Sequence, residues 1–164
     1  DSPIQKLEQL ADQEVAFPGP EALVAYKFSY AQLLSRHIPV RVVFGGNMDG
    51  AFAQLTSGKV KAVGANSQLT EGWVKRENQN VRILWASEPL HDLALMASKK
   101  IPEKDLQAIS RAFLEMNQDA KGKQVLAEAS ELVKLPAGTA FVSSNGSEYA
   151  TYRKFYQSAP PNLR

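Results

Sequence analysis

Between Val40 and Ala65 the sequence reads VRVVFGGNMDGAFAQLTSGKVKAVGA, and the order of its local signals limits the fold more than any other feature. VRVVF is rich in β-branched residues and bounded by Pro39 and Gly45, which predicts a strand. Asp49 to Ser57 predicts a helix, and Gly58 follows it as the residue that ends a helix at least steric cost. KAVGA then predicts a second strand. Upstream, EVAF predicts a strand, PGP breaks the chain, and Leu23, Tyr26, Tyr30, Leu33 and Leu34 recur with a period of about 3.6, which predicts a helix from Pro20 to Ser35. At the start, Ser2 and Pro3 supply an N-cap and an N1 proline for a short amphipathic helix carrying Ile4, Leu7 and Leu10.

The alternation continues with a predicted helix over Gln68 to Arg76, strands at VRILWA and LALMAS, and a helix in IPEKDLQAISRAFLEM. That last helix has proline at its start, acids in its first turn, and Leu106, Ile109, Phe113 and Leu114 on one stripe. A further helix is expected over Gly122 to Ala129, loop or short strand in ELVKLPAG and AFVSSNGS, and a closing aromatic-rich helix in EYATYRKFYQ. Strands alternating with helices of this length predict an α/β fold with a largely parallel sheet flanked by helices. Ligands of such sheets sit beyond the carboxyl ends of the strands, where helix N-termini present free N–H groups. Two such places are legible, FPGPEAL and FGGNMDG.

Composition removes several function classes. At 164 residues and 44% hydrophobic, the chain can bury one domain or two small lobes. A formal charge of +2 is too balanced for nucleic acid to be the main partner. There is no cysteine for a disulfide or thiolate site, and no apolar run approaches the roughly 20 residues of a membrane-spanning helix. GGNMDG has neither the Lys-Ser/Thr ending of a P-loop nor the glycine spacing of a dinucleotide turn; as a plain turn, its glycines let the strand reverse and Asp49 caps the helix. His37 and His91 have no companion at ligand spacing, so no metal is expected, and no G-x-S-x-G marks a nucleophile, so no catalytic residue or cofactor is expected either. Ser87 and Glu88 beside His91 and Asp92 have a suggestive composition without a nucleophile's context. Asn145-Gly146-Ser147 matches a glycosylation acceptor too short to carry weight, and Tyr149, Tyr152, Phe155 and Tyr156 form a helix's packing stripe.

Taken together and in order, DSPIQKLEQLADQEVAFPGPEA, GGNMDGAFAQLTSGKVKAVGA and RILWASEPLHDLALMASKKIPEKDLQAISRAFLEMNQDAKGKQVL resemble the substrate-binding proteins of phosphate, phosphite and phosphonate ABC transporters, the PhnD-like branch of the type II periplasmic binding proteins. The likeness runs from Asp1 to about Ala129. It implies a two-lobed, non-catalytic, periplasmic or otherwise extracytoplasmic receptor that closes on a small oxyanion or polar solute and presents the closed form to an ABC permease. The alternative is the same fold as the ligand sensor of a membrane signalling receptor. The resemblance further implies a second-lobe ligand-binding domain over residues 1–92, and a hinge return with C-terminal helices, a remnant of the first lobe, over residues 93–164. Family members carry first-lobe sequence ahead of the DSPI segment, so the expectation is a fragment prone to homodimerisation or domain swapping.

Carried onto this chain, the ligand-binding positions are Gly19, Pro20, Glu21 and Ala22 at a first turn, Gly46, Asn47, Met48 and Asp49 at a second, Asn66 and Ser67 at a third, and Glu88, His91 and Asp92 at an inter-lobe turn. Two positions depart from the family pattern. The first turn has Pro20, Glu21 and Ala22 where hydroxyl residues are usual, and the second has Met48 where histidine is common. A carboxylate in place of hydroxyl donors opposes a doubly charged anion, so a neutral, zwitterionic or cation-headed ligand is expected to be favoured over free phosphate.

Overall fold

The computed structural model describes residues 2–91, 94–133 and 135–164. They divide into two compact units, Asp1–Pro89 with Tyr152–Arg164, and Leu90–Thr151.

The first unit is built on three parallel strands, β1 (Glu14–Phe17), β2 (Arg41–Phe44) and β3 (Ala62–Val63), in the order β2-β1-β3. The register pairs Glu14 with Arg41 and Phe17 with Phe44 on one side of β1, and Val15 with Ala62 on the other. β1 is central and apolar because it is covered on both faces, as parallel strands are. Val15 and Phe17 pack with Leu10, Leu33 and Ile38, while Ala16 packs with Ala51 and Val60. The first face is covered by a helical stretch, a π-helical turn at Leu23–Phe28 leading into α1 (Ser29–Ser35); the second carries α2 (Met48–Thr56). α3 (Ser67–Arg76) docks on α2 through Trp73, which stacks on Phe52 at 4.4 Å and 11°.

The predicted helix from Pro20 thus begins later, at Leu23, and opens as a π-turn in which the Ala22 carbonyl accepts from Tyr26 at 2.8 Å and from Lys27 at 3.1 Å. The N-terminal helix reduces to a 3-10 turn at Leu7–Leu10 whose apolar residues reach the core. His37 closes α1's end in a left-handed conformation (φ 58°), its N–H donating to the Leu34 carbonyl, so its role there is that of a helix terminator. The C-terminal residues return to this unit: Phe155 stacks on Phe28 at 4.3 Å, Tyr152 meets Phe28 edge-on, and Leu163 is fully buried.

VRILWA and LALMAS are not strands among the described residues, and Leu93 of the second lies outside them. β propensity expresses packing against neighbouring strands. Here Arg82 spends its guanidinium on the carbonyls of Ser2 and Ile4, at 3.2 and 2.7 Å, and Leu84 packs on the core built around Val15, Phe17 and Leu33, while Leu95 and Met96 are exposed.

The second unit holds α4 (Glu103–Leu114), a 3-10 turn at Met116–Gln118 and α5 (Ala120–Leu132), followed by loops, a 3-10 turn at Ser147–Tyr149 and the start of α6 (Ala150–Ser158). Asp119 caps α5 by accepting from the Gly122 N–H at 2.8 Å. α5 overruns its predicted end at Ala129 and takes in the first residues of ELVKLPAG. Phe113 meets Phe141 edge-on at 4.8 Å, yet the described residues of this unit contain no buried hydrophobic side chain.

Candidate functional site

Because the three strands are parallel, their carboxyl ends share one edge of the sheet, and each is followed by one of the turns singled out in the sequence. Backbone bonds continue the sheet just past the strands: the Gly45 N–H donates to the Phe17 carbonyl at 2.8 Å and the Gly64 N–H to the Ala16 carbonyl at 2.9 Å. Both glycines are required by close approach. A Cβ on Gly64 would run into the Ala25 carbonyl and the Phe17 ring, and one on Gly45 into the backbone of Gly50 and Ala51.

At the second turn Gly46 takes φ 82°, a left-handed conformation that suits glycine, and the chain enters α2. The N-cap is Asn47, whose Oδ1 accepts from the Gly50 N–H at 2.7 Å. Asp49, expected as the cap, stands instead in the first turn, and its carboxylate accepts from Arg76 Nη2 at 3.0 Å. Arg76 also donates to Glu77 at 2.9 Å, and these bonds raise its pKa above the ordinary value. Met48 is half-buried as the first helical residue. The third turn repeats the device: Asn66 caps α3 by accepting from the Leu69 N–H at 3.2 Å. With each asparagine satisfying one donor, the N–H groups of Met48 and Asp49, and of Ser67 and Gln68, make no hydrogen bond among the described residues. They are pairs of oriented donors at the positive ends of two helices, an arrangement suited to an anion.

The first turn differs. Gly19, Pro20 and Glu21 precede the π-turn, so Glu21 lies outside the helix and not in its first turn. Its side chain is 93% exposed and stands 3.9 Å from the ammonium of Lys27, a residue absent from the sequence-based site. Nothing in the sequence pointed to Lys27, because an α-helical reading directs position 27 away from position 21. Beside these turns lies an aromatic cluster in which Tyr26 meets Phe17 and Phe44 edge-on, at 5.0 and 5.1 Å, and stacks on Tyr30 at 5.5 Å. Burial, reinforced by Tyr30, raises the Tyr26 pKa.

The positions proposed for an inter-lobe turn are less connected. Glu88 is exposed and has no described contact with the three turns. His91 belongs to the second unit, where its ring lies 6.2 Å from that of Tyr149, and Asp92 lies outside the described residues. No group of metal-ligating side chains occurs among the described residues.

A family model described as "ABC transporter, phosphonate, periplasmic substrate-binding protein" matches residues 1–143 of the 164 in the chain. The chain belongs to this family. No match was found among curated proteins. Phosphonate-type periplasmic binding proteins are substrate-binding components of ABC transporters and not enzymes; a small-molecule ligand, a permease partner and an extracytoplasmic setting go with membership. The sheet and its flanking helices are the α/β architecture expected of such a protein. No helix among the described residues is long and apolar enough to cross a membrane.

Proposed function

We propose that this binding protein captures a small phosphonate-like oxyanion at the carboxyl edge of the β2-β1-β3 sheet, with Gly19–Ala22, Gly46–Asp49 and Asn66–Ser67 as the contact turns, and delivers it to an ABC permease. The observation that carries the reading is the pair of unbonded N–H donors at each of the N-termini of α2 and α3, the helices that follow the two strands flanking β1 in one parallel sheet. Charge-assisted bonds from such donors are roughly twice as strong as neutral ones, so they can replace hydroxyl donors missing from the first turn. Residues 1–92 act in this reading as the ligand-binding lobe, with residues 93–164 as the hinge return.

Ser67→Asp tests the reading. Ser67 is exposed at the first position of α3, where a carboxylate favours the helix dipole but repels an anion. Calorimetric titration with methylphosphonate should show affinity lowered by about tenfold or more, while the melting temperature holds or rises. Unchanged affinity would remove the third turn from the site.

A further inference from the structure

The π-turn after Ala22 has a consequence for ligand charge. An i→i−5 bond closes a turn one residue wider than an α-helical one, and it brings Lys27 back under the first turn. The Lys27 side chain is only 12% exposed, its stem covered and its ammonium 5.9 Å from the centre of the Tyr156 ring. An ammonium carries three donors. Among the described residues its sole charged partner is Glu21, at 3.9 Å, too long for a hydrogen bond. The two members of the pair are therefore unequal: a cation held in place by packing, and a carboxylate 93% exposed on a turn. Exposed carboxylates hold such partners weakly, because solvent screens the attraction and the free side chain loses rotamer entropy on pairing.

We infer that Lys27 is the cation that contacts the ligand oxyanion at the first turn, and that Glu21 competes with the ligand for it. This rests on the reading of Gly19–Ala22 as a contact turn. An incoming phosphonate oxygen takes the ammonium, and the Glu21 carboxylate moves into water without breaking a packed contact. Glu21 then acts as an internal competitor that sets how much negative charge a ligand needs to displace it: a doubly charged phosphonate displaces it, and a neutral or weakly charged solute does not. The Tyr156 ring beside Lys27 attracts the ammonium and opposes its following Glu21 outward.

The test is a double-mutant cycle on the full chain, read by calorimetric titration with methylphosphonate. Glu21→Gln removes the competitor at an exposed position and should tighten binding about three- to tenfold; Lys27→Met should weaken it about tenfold or more. In the Lys27→Met background the gain from Glu21→Gln should fall below about twofold, because the two residues act through one interaction. Lys27→Arg, which keeps the charge and much of the stem, should retain binding to within about threefold and guards against a packing defect in Lys27→Met. A gain from Glu21→Gln that persists without Lys27, or an unaltered affinity in both single variants, overturns the inference while leaving the site reading in place. Failure of the unaltered chain to bind methylphosphonate at millimolar concentration overturns both.

Discussion

Arg76, in the last turn of α3, donates to Asp49, in the first turn of α2, across 3.0 Å, and the stacked rings of Trp73 and Phe52 lie between the same two helices. The acid nearest the second turn is therefore neutralised by a residue 27 positions away. A carboxylate beside this proposed contact turn would otherwise oppose an anion.

Arg76→Ala leaves Asp49 uncompensated. Both side chains are substantially exposed, so the stability change should be small. Methylphosphonate affinity should nevertheless fall a few-fold, and more at low salt than at high salt, because the lost term is an exposed charge effect. Equal loss at both ionic strengths in calorimetry would point to a packing change instead.

Two glycines should respond in opposite directions to alanine. Gly64→Ala drives a methyl group into the carbonyl of Ala25, in the π-turn, and the Phe17 ring, both of them buried, and should cost about 1–3 kcal/mol in urea unfolding. Gly72 lies in α3 with open space at its Cβ position, so Gly72→Ala should stabilise by up to about 1 kcal/mol through helix propensity. A shared sign would mean that the sheet edge is not packed as described.

Tyr26 gives the fold an alkaline limit. Burial, and then repulsion from Tyr30, raises its pKa above the ordinary 10.0. The folded form thus holds the proton more tightly than the unfolded form: the contribution is complete below pH 10.0 and is lost as pH rises through the folded value. Tyr26→Phe should flatten the decline in melting temperature above pH 10.0, and spectrophotometric titration of the native protein should lose a phenol that ionises above pH 10.0. A decline as steep in the variant would assign the limit to other groups.

The two units should differ in local stability. With no buried hydrophobic side chain among its described residues, Leu90–Thr151 has little apolar burial to offset the entropy of ordering α4 and α5. Hydrogen exchange should be faster for the amides of α4 and α5 than for those of β1 and β2. Comparable protection in both would show that the exposed side chains, Leu132 and Val142 among them, are covered in solution.

Much of the architecture was already legible in sequence order. EVAF, VRVVF and KAVGA could be read as parallel strands because β-branched runs bounded by Pro and Gly alternate with helical spacing, and the turns after them could be named because glycine and asparagine have few other uses there. Family membership was legible for a related reason, as several segments between Asp1 and about Ala129 kept the family's order and spacing, and the family model matches residues 1–143. Long-range partners decided the rest. VRILWA has strand composition but no strand to pair with among the described residues, and Arg82 ties it to Ser2 and Ile4 instead. Asn47 rather than Asp49 caps α2, a choice between favourable residues two positions apart that turns on where the chain leaves the left-handed Gly46. Lys27 stands beside Glu21 where the helix opens with a wider turn, and Arg76 meets Asp49 where α3 packs on α2. Local propensity acts over a few residues and so shows in sequence; the charge around each turn comes from side chains that only tertiary packing brings together.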